Sequence, residues 1–299
     1  MKAIVLGSAA GGGSPQWNCN CDVCSLFWSG DTRVKRRTQS SIAVSPDGAS
    51  WVLLNCSPDI REQIGAVQKL QPKAALRHSP IVAVVITNGD IDHIGGLLSL
   101  REGHTFTIWA SGSVLKQIEE NPVFAVLNPQ YVSFKTINTG ETFSPVAGLH
   151  VDTFTVPGKV PLYREQPGQH AIERSGTTVG LHLRHGQGTM SYVPGCAEID
   201  AQLLDDLQQT DTLFFDGTLW TDDEMITSRT GVKTGRRMGH VPVSGIDGSI
   251  EKLRSLTARQ RIFVHLNNTN PLLIDGSPEQ QLAMKKGWRV AHDGLEVEI

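Results

Sequence analysis

Short apolar segments rich in β-branched residues recur along the whole chain, and glycine-rich turns separate them. Such segments are typical of buried β-strands. The predicted strands cover residues 3–6, 41–44, 51–54, 81–87, 106–109, 151–156, 178–183, 190–193, 212–215, 261–264, 289–291 and 295–297. Helical patterns occupy residues 57–70, 114–119, 199–207, 243–256 and 278–286. The alternation predicts an α/β fold in which two packed sheets carry helices on the outside.

The length and charge of the chain limit the classes of protein to which it can belong. No low-complexity linker divides the 299 residues, so we expect one domain over residues 1–299. The net charge of −3 argues against a protein that binds nucleic acid by neutralising phosphates. The longest apolar run, residues 81–86, is far shorter than the roughly 20 residues that span a bilayer. We therefore expect a cytoplasmic protein without a membrane or nucleic-acid partner.

Three of the five cysteines lie close together in a loop near the start of the chain. Cys19, Cys21 and Cys24 have a C-x-C-x-x-C spacing that can surround one side of a tetrahedral Zn²⁺ ion. The alternative is three free thiols or a redox pair. Apart from Asp22, the loop offers no fourth ligand, so a distant residue would have to complete the site.

A second cluster of polar residues follows the predicted strand at residues 81–87. The segment reads TNGDIDH and contains Asn88, Asp90, Asp92 and His93. Asp92 and His93 stand at the predicted start of a helix, where both side chains can point into one site. A solvated turn with a helix cap is the alternative interpretation.

These segments carry a family resemblance. The sequence TNGDIDHIGGL resembles the H-x-H-x-D-H-x-x-G motif of the metallo-β-lactamase superfamily, and His265 resembles the strand-end histidine that closes its metal site. The segment MGHVP around His240 resembles the G-H motif of the tRNase Z and phosphodiesterase branch. The segments LGSAAGGGSPQWNCNCDVC, SYVPGCAEI, FFDGTLW and VHLNNTNP are similar to a family of pyrroloquinoline quinone (PQQ) biosynthesis proteins. The resemblance implies an αββα sandwich of two mixed sheets with helices on the outer faces.

The departures from the superfamily motif are as informative as the matches. Asn88 and Asp90 occupy the places of the two leading histidines, and neither residues 156–158 nor residues 192–195 offer the later histidine and the bridging aspartate. The resemblance therefore leaves Asp92, His93 and His265 as ligands of one metal, with Asp90 as an additional candidate. Two imidazoles and one carboxylate form the ligand set of non-haem Fe(II) oxygenases.

The resemblance also implies a reaction. We expect an enzyme of PQQ biosynthesis that uses Fe²⁺ and O₂ to hydroxylate the tyrosine ring of a Glu–Tyr unit derived from a precursor peptide. Other divalent metals can occupy such a site. His240 is expected to be a further ligand or a proton donor, unless it is a capping or surface histidine. The alternatives are a non-catalytic carrier that transports PQQ or its precursor, and a hydrolase of the phosphodiesterase type.

The remaining candidates surround these two clusters. The polar segment at residues 157–176 is expected to border the substrate through Lys159, Arg164 and Arg174, unless it is a surface loop without contacts. Asp216, at the end of a predicted strand, is expected together with Asn88 to support the metal ligands.

The fourth ligand of the cysteine-bound zinc is the least constrained of these assignments. In phosphodiesterases with this cysteine cluster, that ligand lies three residues beyond the closing histidine, and the corresponding residue here is Asn268. Either Asn268 or His265 could complete the site. The oligomeric state stays open, with a homodimer as one option.

Overall fold

The computed structural model describes residues 1–165 and 172–299. Its strands are β1 (Lys2–Gly7), β2 (Ser41–Ser45), β3 (Trp51–Leu54), β4 (Ile81–Val85), β5 (Phe106–Ser111), β6 (Val132–Ile137), β7 (Thr142–Val146), β8 (Leu149–Thr155), β9 (Val179–His185), β10 (Gly188–Val193), β11 (Thr212–Asp216), β12 (Gln260–Val264), β13 (Trp288–Val290) and β14 (Glu296–Glu298). Its α-helices are α1 (Asp22–Trp28), α2 (Ile60–Ala66), α3 (Ile91–Ile94), α4 (Gly112–Glu120), α5 (Ala201–Asp206), α6 (Glu224–Thr227), α7 (Gly235–Met238), α8 (Ser249–Lys252) and α9 (Pro278–Lys285).

The strands form two seven-stranded sheets. The first has the order β14-β1-β2-β3-β4-β5-β6, and the second has the order β13-β12-β11-β10-β9-β8-β7. Both sheets are mixed: β1 to β3 pair antiparallel whereas β3 to β6 pair parallel, and β7 to β10 pair antiparallel whereas β10 to β13 pair parallel. The parallel strands β4, β11 and β12 are the ones whose carboxyl ends carry the candidate site.

Alternating side chains divide the apolar residues into three layers. Along β1, Ala3 and Val5 belong to the core between the two sheets, whereas Ile4 and Leu6 pack beneath helices on the outer face. This period of two follows from the pleat of a strand. A third apolar cluster lies between the outer face of the second sheet and its helices. The layers are therefore helix, sheet, sheet and helix, which confirms the predicted αββα sandwich.

Several predicted elements have different bounds. The helix predicted at residues 243–256 is reduced to α8, because Gly245 has a φ of +88° and residues 244–248 form a loop. The helix that was predicted to start at Ser57 begins at Ile60 instead, with Asp59 as its N-cap residue. The sequence analysis missed β6 and β7, whose side chains are largely exposed and therefore lack an apolar run.

No α-helix in the described ranges combines the length and apolar character that crossing a membrane requires.

Candidate metal centre

The loops that follow β4, β11 and β12 meet at one edge of the sandwich and enclose a cleft of about 210 Å³. Its walls are formed by Ala10, Gly11, Asn88, Asp90, Asp92, His93, Lys159, Thr218, Met238, His240, His265 and Asn267. Carboxyl ends of parallel strands are a common position for ligand sites in α/β folds. The two separate segments predicted around residues 88–93 and 265 therefore come together, as expected.

His93 is buried at the start of α3, and Asn88 fixes its ring. Nδ1 of His93 lies 2.7 Å from Oδ1 of Asn88, so Nδ1 carries a proton and donates it to the amide oxygen. Nε2 of His93 is buried and has no hydrogen-bond partner among the residues that the structure describes. Burial lowers the pKa of His93 to about 4. The ring is therefore neutral at neutral pH and presents a free lone pair to the cleft, as a metal ligand must.

Asp92 faces His265 across the cleft. Nε2 of His265 lies 2.9 Å from Oδ2 of Asp92. Burial acts to raise the pKa of Asp92, but the neighbouring His93 and His265 hold that pKa below its ordinary value. Burial likewise acts to lower the pKa of His265, but the hydrogen bond and negative charge of Asp92 raise it. Asp92 is therefore a carboxylate that favours a positive charge beside it.

Thr218 lies behind His265 and also contacts His240. Oγ1 of Thr218 is 2.6 Å from Oδ1 of Asp216, 2.8 Å from Nδ1 of His265 and 3.0 Å from Nδ1 of His240. Oδ2 of Asp216 also lies 2.7 Å from Nδ1 of His240 and accepts a hydrogen bond from the backbone N–H of Cys196. Asn88 and Asp216, which the sequence predicted to support the metal ligands, thus each contact a histidine of the cleft. The sequence analysis missed the contact made by Thr218. The D-G-T turn after β11 was the available signal.

The backbone at His265 adopts a conformation that non-glycine residues rarely take. Its φ is +59°, in the left-handed region. Hydrogen bonds on both sides hold it: the backbone N–H of Leu266 donates to Ser8, and that of Asn267 donates to Thr218. Strain of this kind persists where the surroundings fix it, often at functional sites. At His265, the left-handed backbone conformation directs the imidazole away from β12 and toward Asp92.

Asp92, His93 and His265 fit a single divalent metal ion. One ligand atom from each lies within 4.8 Å of the others. A cation between them would give Nε2 of His93 the partner that it lacks and would replace the proton between His265 and Asp92. Within the described residues, Asp90 is not part of such a group. The structure therefore does not bring this predicted ligand into the cluster, although Asp90 lines the cleft.

The other side of the cleft offers no comparable ligands among the described residues. Asn88 is engaged with His93 and with the backbone N–H of Asp90. Gly195 lies beside it, and a Cβ at that position would be 3.6 Å from Cε1 of His240. Asp216, His240 and His265 also form a close group of candidate ligand atoms. However, Nδ1 of His240 and both oxygens of Asp216 are already hydrogen-bonded to protein atoms.

The three clustered cysteines form a second candidate metal site, at the start of α1. The Sγ atoms of Cys19, Cys21 and Cys24 lie within 4.8 Å of one another. Asn268 covers them: its backbone oxygen is 3.4 Å from Sγ of Cys21, and its Nδ2 is 3.3 Å from Sγ of Cys24. Burial raises the pKa of Cys21 to about 12. Burial acts to raise the pKa of Cys19 as well, but hydrogen bonds from Cys21, Cys24 and Asn268 lower it. A metal ion would stabilise the Cys21 thiolate, because the described residues place no cationic side chain in hydrogen-bond contact with these sulfurs.

The two residues proposed as the fourth ligand have different positions relative to the cysteines. Its carbonyl and amide lie against the cysteines, whereas the ligand atom of His265 belongs to the group with Asp92 and His93. The structure therefore favours Asn268 and does not bring His265 to the cysteines.

The predicted substrate-contacting cations have different surroundings. Lys159 lines the cleft, as expected. Arg164 does not line it and instead pairs with Glu120 at 3.0 Å on the surface. Arg174 binds Asp200 through two nitrogens and also donates to the carbonyl of Thr155, so its guanidinium is occupied within the fold. The structure therefore does not bring Arg164 and Arg174 to the cleft, because each pairs with an acidic residue that is distant in sequence. Residues 166–171 of the predicted segment lie outside the described residues.

Comparisons with known proteins agree with this geometry. The family model of the beta-lactamase superfamily domain matches residues 50–266. Coenzyme PQQ synthesis protein B from Methylorubrum extorquens (strain PA1) is 51% identical over 299 residues, with complete coverage of both chains. The crystal structure of Zn²⁺-bound PqqB from Methylobacterium extorquens has a TM-score of 0.98 at 51% identity, again with complete coverage of both chains. A diphosphatase of the PhnP family, with 24% identity, a TM-score of 0.69 and coverage of 100% of this chain and 98% of its own, shares the fold.

Proposed function

We propose, from the premise that this chain belongs to the coenzyme PQQ synthesis protein B family within the beta-lactamase superfamily, that it is an iron- and O₂-dependent hydroxylase. Its place in PQQ biosynthesis follows from the family, and the superfamily fold is typical of metal-dependent enzymes. The proposed substrate is the tyrosine ring of a Glu–Tyr unit derived from a precursor peptide. The proposed product carries one more hydroxyl group on that ring.

The observation that carries this proposal is the one-sided cleft. Asp92, His93 and His265 converge with a buried, unpartnered Nε2, whereas Asn88 and Gly195 occupy the opposite side. A two-metal hydrolase needs ligands for both ions, held about 3.5–4 Å apart. One ion held by two imidazoles and one carboxylate keeps positions open, and iron in that setting supplies the activation of O₂. Residues 1–165 and 172–299 do not provide a second set of ligands of the kind that the hydrolase alternative requires.

The two clusters are proposed to hold different metals. Thiolates favour zinc, and a site closed by protein ligands is typical of structural zinc. We assign zinc to Cys19, Cys21 and Cys24, with Asn268 as the proposed fourth ligand. The Zn²⁺-bound relative supports zinc in this family. Iron is assigned to the open site, where zinc can compete with Fe²⁺ because it binds nitrogen and oxygen ligands more strongly.

Lys159 is proposed to bind a carboxylate of the substrate. It lines the cleft together with the metal ligands, and Nζ has only a 3.4 Å contact with the carbonyl of Val160 among the described residues. Gly239, with a φ of +92°, leaves room for its stem, because a Cβ there would lie 3.2 Å from Cγ of Lys159. An ammonium group at this position can form a charge-assisted hydrogen bond with the glutamate end of a Glu–Tyr peptide.

His240 is proposed to act as a proton donor rather than as a ligand. Asp216 accepts from its Nδ1, so the proton that His240 would deliver into the cleft is the one on Nε2 of the imidazolium form. Hydroxylation inserts one oxygen atom of O₂ into a ring C–H bond and releases the other as water. This balance requires two electrons and two protons, and we expect a small external reductant to supply the electrons.

The test is a single-turnover experiment with the full chain. Protein loaded with Fe²⁺ without oxygen is mixed with a Glu–Tyr peptide and ascorbate, exposed to ¹⁸O₂ and analysed by mass spectrometry. The proposal expects the peptide to gain one ¹⁸O atom. Peptide cleavage with oxygen from water would support the hydrolase, and unchanged peptide that co-elutes with the protein would support the carrier. Unchanged peptide that does not bind would contradict the proposed substrate.

A further inference from the structure

Thr218 has every polar atom engaged at the junction of two strand ends. It is 3% exposed. Its backbone N–H donates to Oδ1 of Asp216, and its backbone oxygen accepts from the N–H of Asn267 and from Nδ2 of Asn270. These bonds tie the turn after β11 to the loop after β12. The hydroxyl of Thr218 is therefore held at a fixed position behind His265.

The direction of each hydrogen bond at this hydroxyl follows from the groups around it. A carboxylate only accepts, so the single hydroxyl proton of Thr218 goes to Oδ1 of Asp216, at 2.6 Å. The oxygen is then an acceptor for its other neighbours. Nδ1 of His265, at 2.8 Å, must donate to it. His265 consequently carries a proton on Nδ1. Its Nε2 also carries a proton while it donates to Oδ2 of Asp92, and a metal ion that displaces this second proton leaves a neutral ring with a lone pair on Nε2.

We infer that Thr218 is a positioning residue of the metal centre, whose hydroxyl selects the tautomer and the ring orientation of His265. The inference rests on the proposed metal site at Asp92, His93 and His265. Thr218 has the same relation to His265 that Asn88 has to His93, since both accept from Nδ1 and leave Nε2 toward the cleft. Such partners behind a ligand typically contribute 10- to 100-fold to metal affinity.

The same hydroxyl also lies 3.0 Å from Nδ1 of His240, whose ring stacks on that of His265 with 5.0 Å between centroids. Asp216 is the closer partner of His240, at 2.7 Å. One Asp216–Thr218 pair therefore orients the ring that binds the metal and the ring proposed to deliver a proton. Loss of the hydroxyl should affect His265 more, because His240 keeps its carboxylate.

The experiment compares three variants with the wild type. Thr218→Val removes the hydroxyl and keeps the side-chain volume, and Thr218→Ser restores the hydroxyl. Thr153→Val is the matched control, because Oγ1 of Thr153 is buried on β8 and the described part of the chain gives it no hydrogen-bond partner. Protein with one equivalent of zinc on the cysteines is titrated with Co²⁺. Visible d–d bands report the nitrogen–oxygen site, and near-ultraviolet thiolate bands would reveal cobalt on the cysteines.

We expect Thr218→Val to bind Co²⁺ 10- to 100-fold more weakly at the open site, while Thr218→Ser and Thr153→Val bind like the wild type. If Thr218 only closes the turn, Thr218→Val lowers the melting temperature and leaves the affinity unchanged, which would overturn the inference alone. A wild type without cobalt affinity at this site would overturn the proposed function as well.

A second measurement needs no variant. In ¹⁵N-labelled wild type loaded with zinc in both sites, long-range ¹H–¹⁵N spectra identify which ring nitrogen of His265 carries the proton. The inference expects a protonated Nδ1. A proton on Nε2, with Nδ1 on the metal, would contradict it even if Thr218→Val failed to fold.

Discussion

The cysteine cluster and the Asp92–His93–His265 cluster differ in how the protein surrounds them. Asn268 lies against the sulfurs of Cys21 and Cys24, α1 begins at this cluster, and the half-buried Cys19 and Cys21 line a surface pocket. The histidine cluster opens into a cleft, and its supporting contacts come from behind, through Asn88 and Thr218. We propose a structural role for the first cluster, whose sulfur ligands suit zinc, and a reactive role for the second. The predictions below separate the two.

The largest effect is expected from loss of a ligand in the open site. His93→Ala should lower O₂-dependent turnover more than 100-fold, beyond the 10- to 100-fold that a supporting contact contributes. Metal analysis should still find one zinc per chain, held by the cysteines. His185→Ala is the control, because that histidine is half-buried at the end of β9 and its ring bonds only to the carbonyl of Gly148 among the described residues. Full activity of His93→Ala with Fe²⁺ would refute the assignment.

The converse change is Cys21→Ser. It should release the zinc and lower the melting temperature by about 5–10 °C, if the metal contributes about 3 kcal/mol to folding. The open site should keep its Co²⁺ affinity, since no ligand of that site changes. Differential scanning calorimetry with and without added zinc measures the effect. An unchanged zinc content would show that the cysteines are not the zinc site.

A smaller effect is expected from the contact behind His93. Asn88→Ala removes the oxygen that accepts from Nδ1 and should weaken Co²⁺ binding at the open site 10- to 100-fold. Asn88→Asp keeps an acceptor at the same place and should retain more of the affinity. Titration of both variants tests this. Equal affinities for Asn88→Ala and the wild type would mean that the ring needs no such partner.

The smallest effects concern the substrate. Lys159→Met should raise KM for a Glu–Tyr peptide about 10-fold while metal content stays constant, because one charge-assisted hydrogen bond is lost. Arg164→Ala should leave KM unchanged, since Arg164 pairs with Glu120 outside the cleft. Lys116→Met, on the surface of α4, is the matched control. A larger effect of Arg164→Ala than of Lys159→Met would reverse the structural assignment.

The sequence predicted the members of both clusters well, for a physical reason. Cys19, Cys21 and Cys24 are local, so their spacing alone brings them together. Asp92 and His93 are adjacent, and the end of a buried strand orients them. His265 is distant in sequence, and it was found through the family motif rather than through spacing.

The failures have a common cause in tertiary structure. Arg174 carries the same charge as Lys159, and only the fold shows that Asp200 occupies its guanidinium. Thr218 is a common residue type in a turn, and its role depends on a loop that begins more than forty residues later in the chain. Partners of charged and hydroxyl groups are set by the fold, whereas clusters of soft or titratable ligands leave a visible pattern in the sequence.

The most direct test of the central claim is anomalous diffraction from crystals grown with excess Mn²⁺ after zinc loading. The one-sided cleft predicts a single manganese peak among Asp92, His93 and His265, and a separate zinc peak at Cys19, Cys21 and Cys24. Two metal peaks about 3.5–4 Å apart in the cleft, as in two-metal hydrolases, would contradict the account.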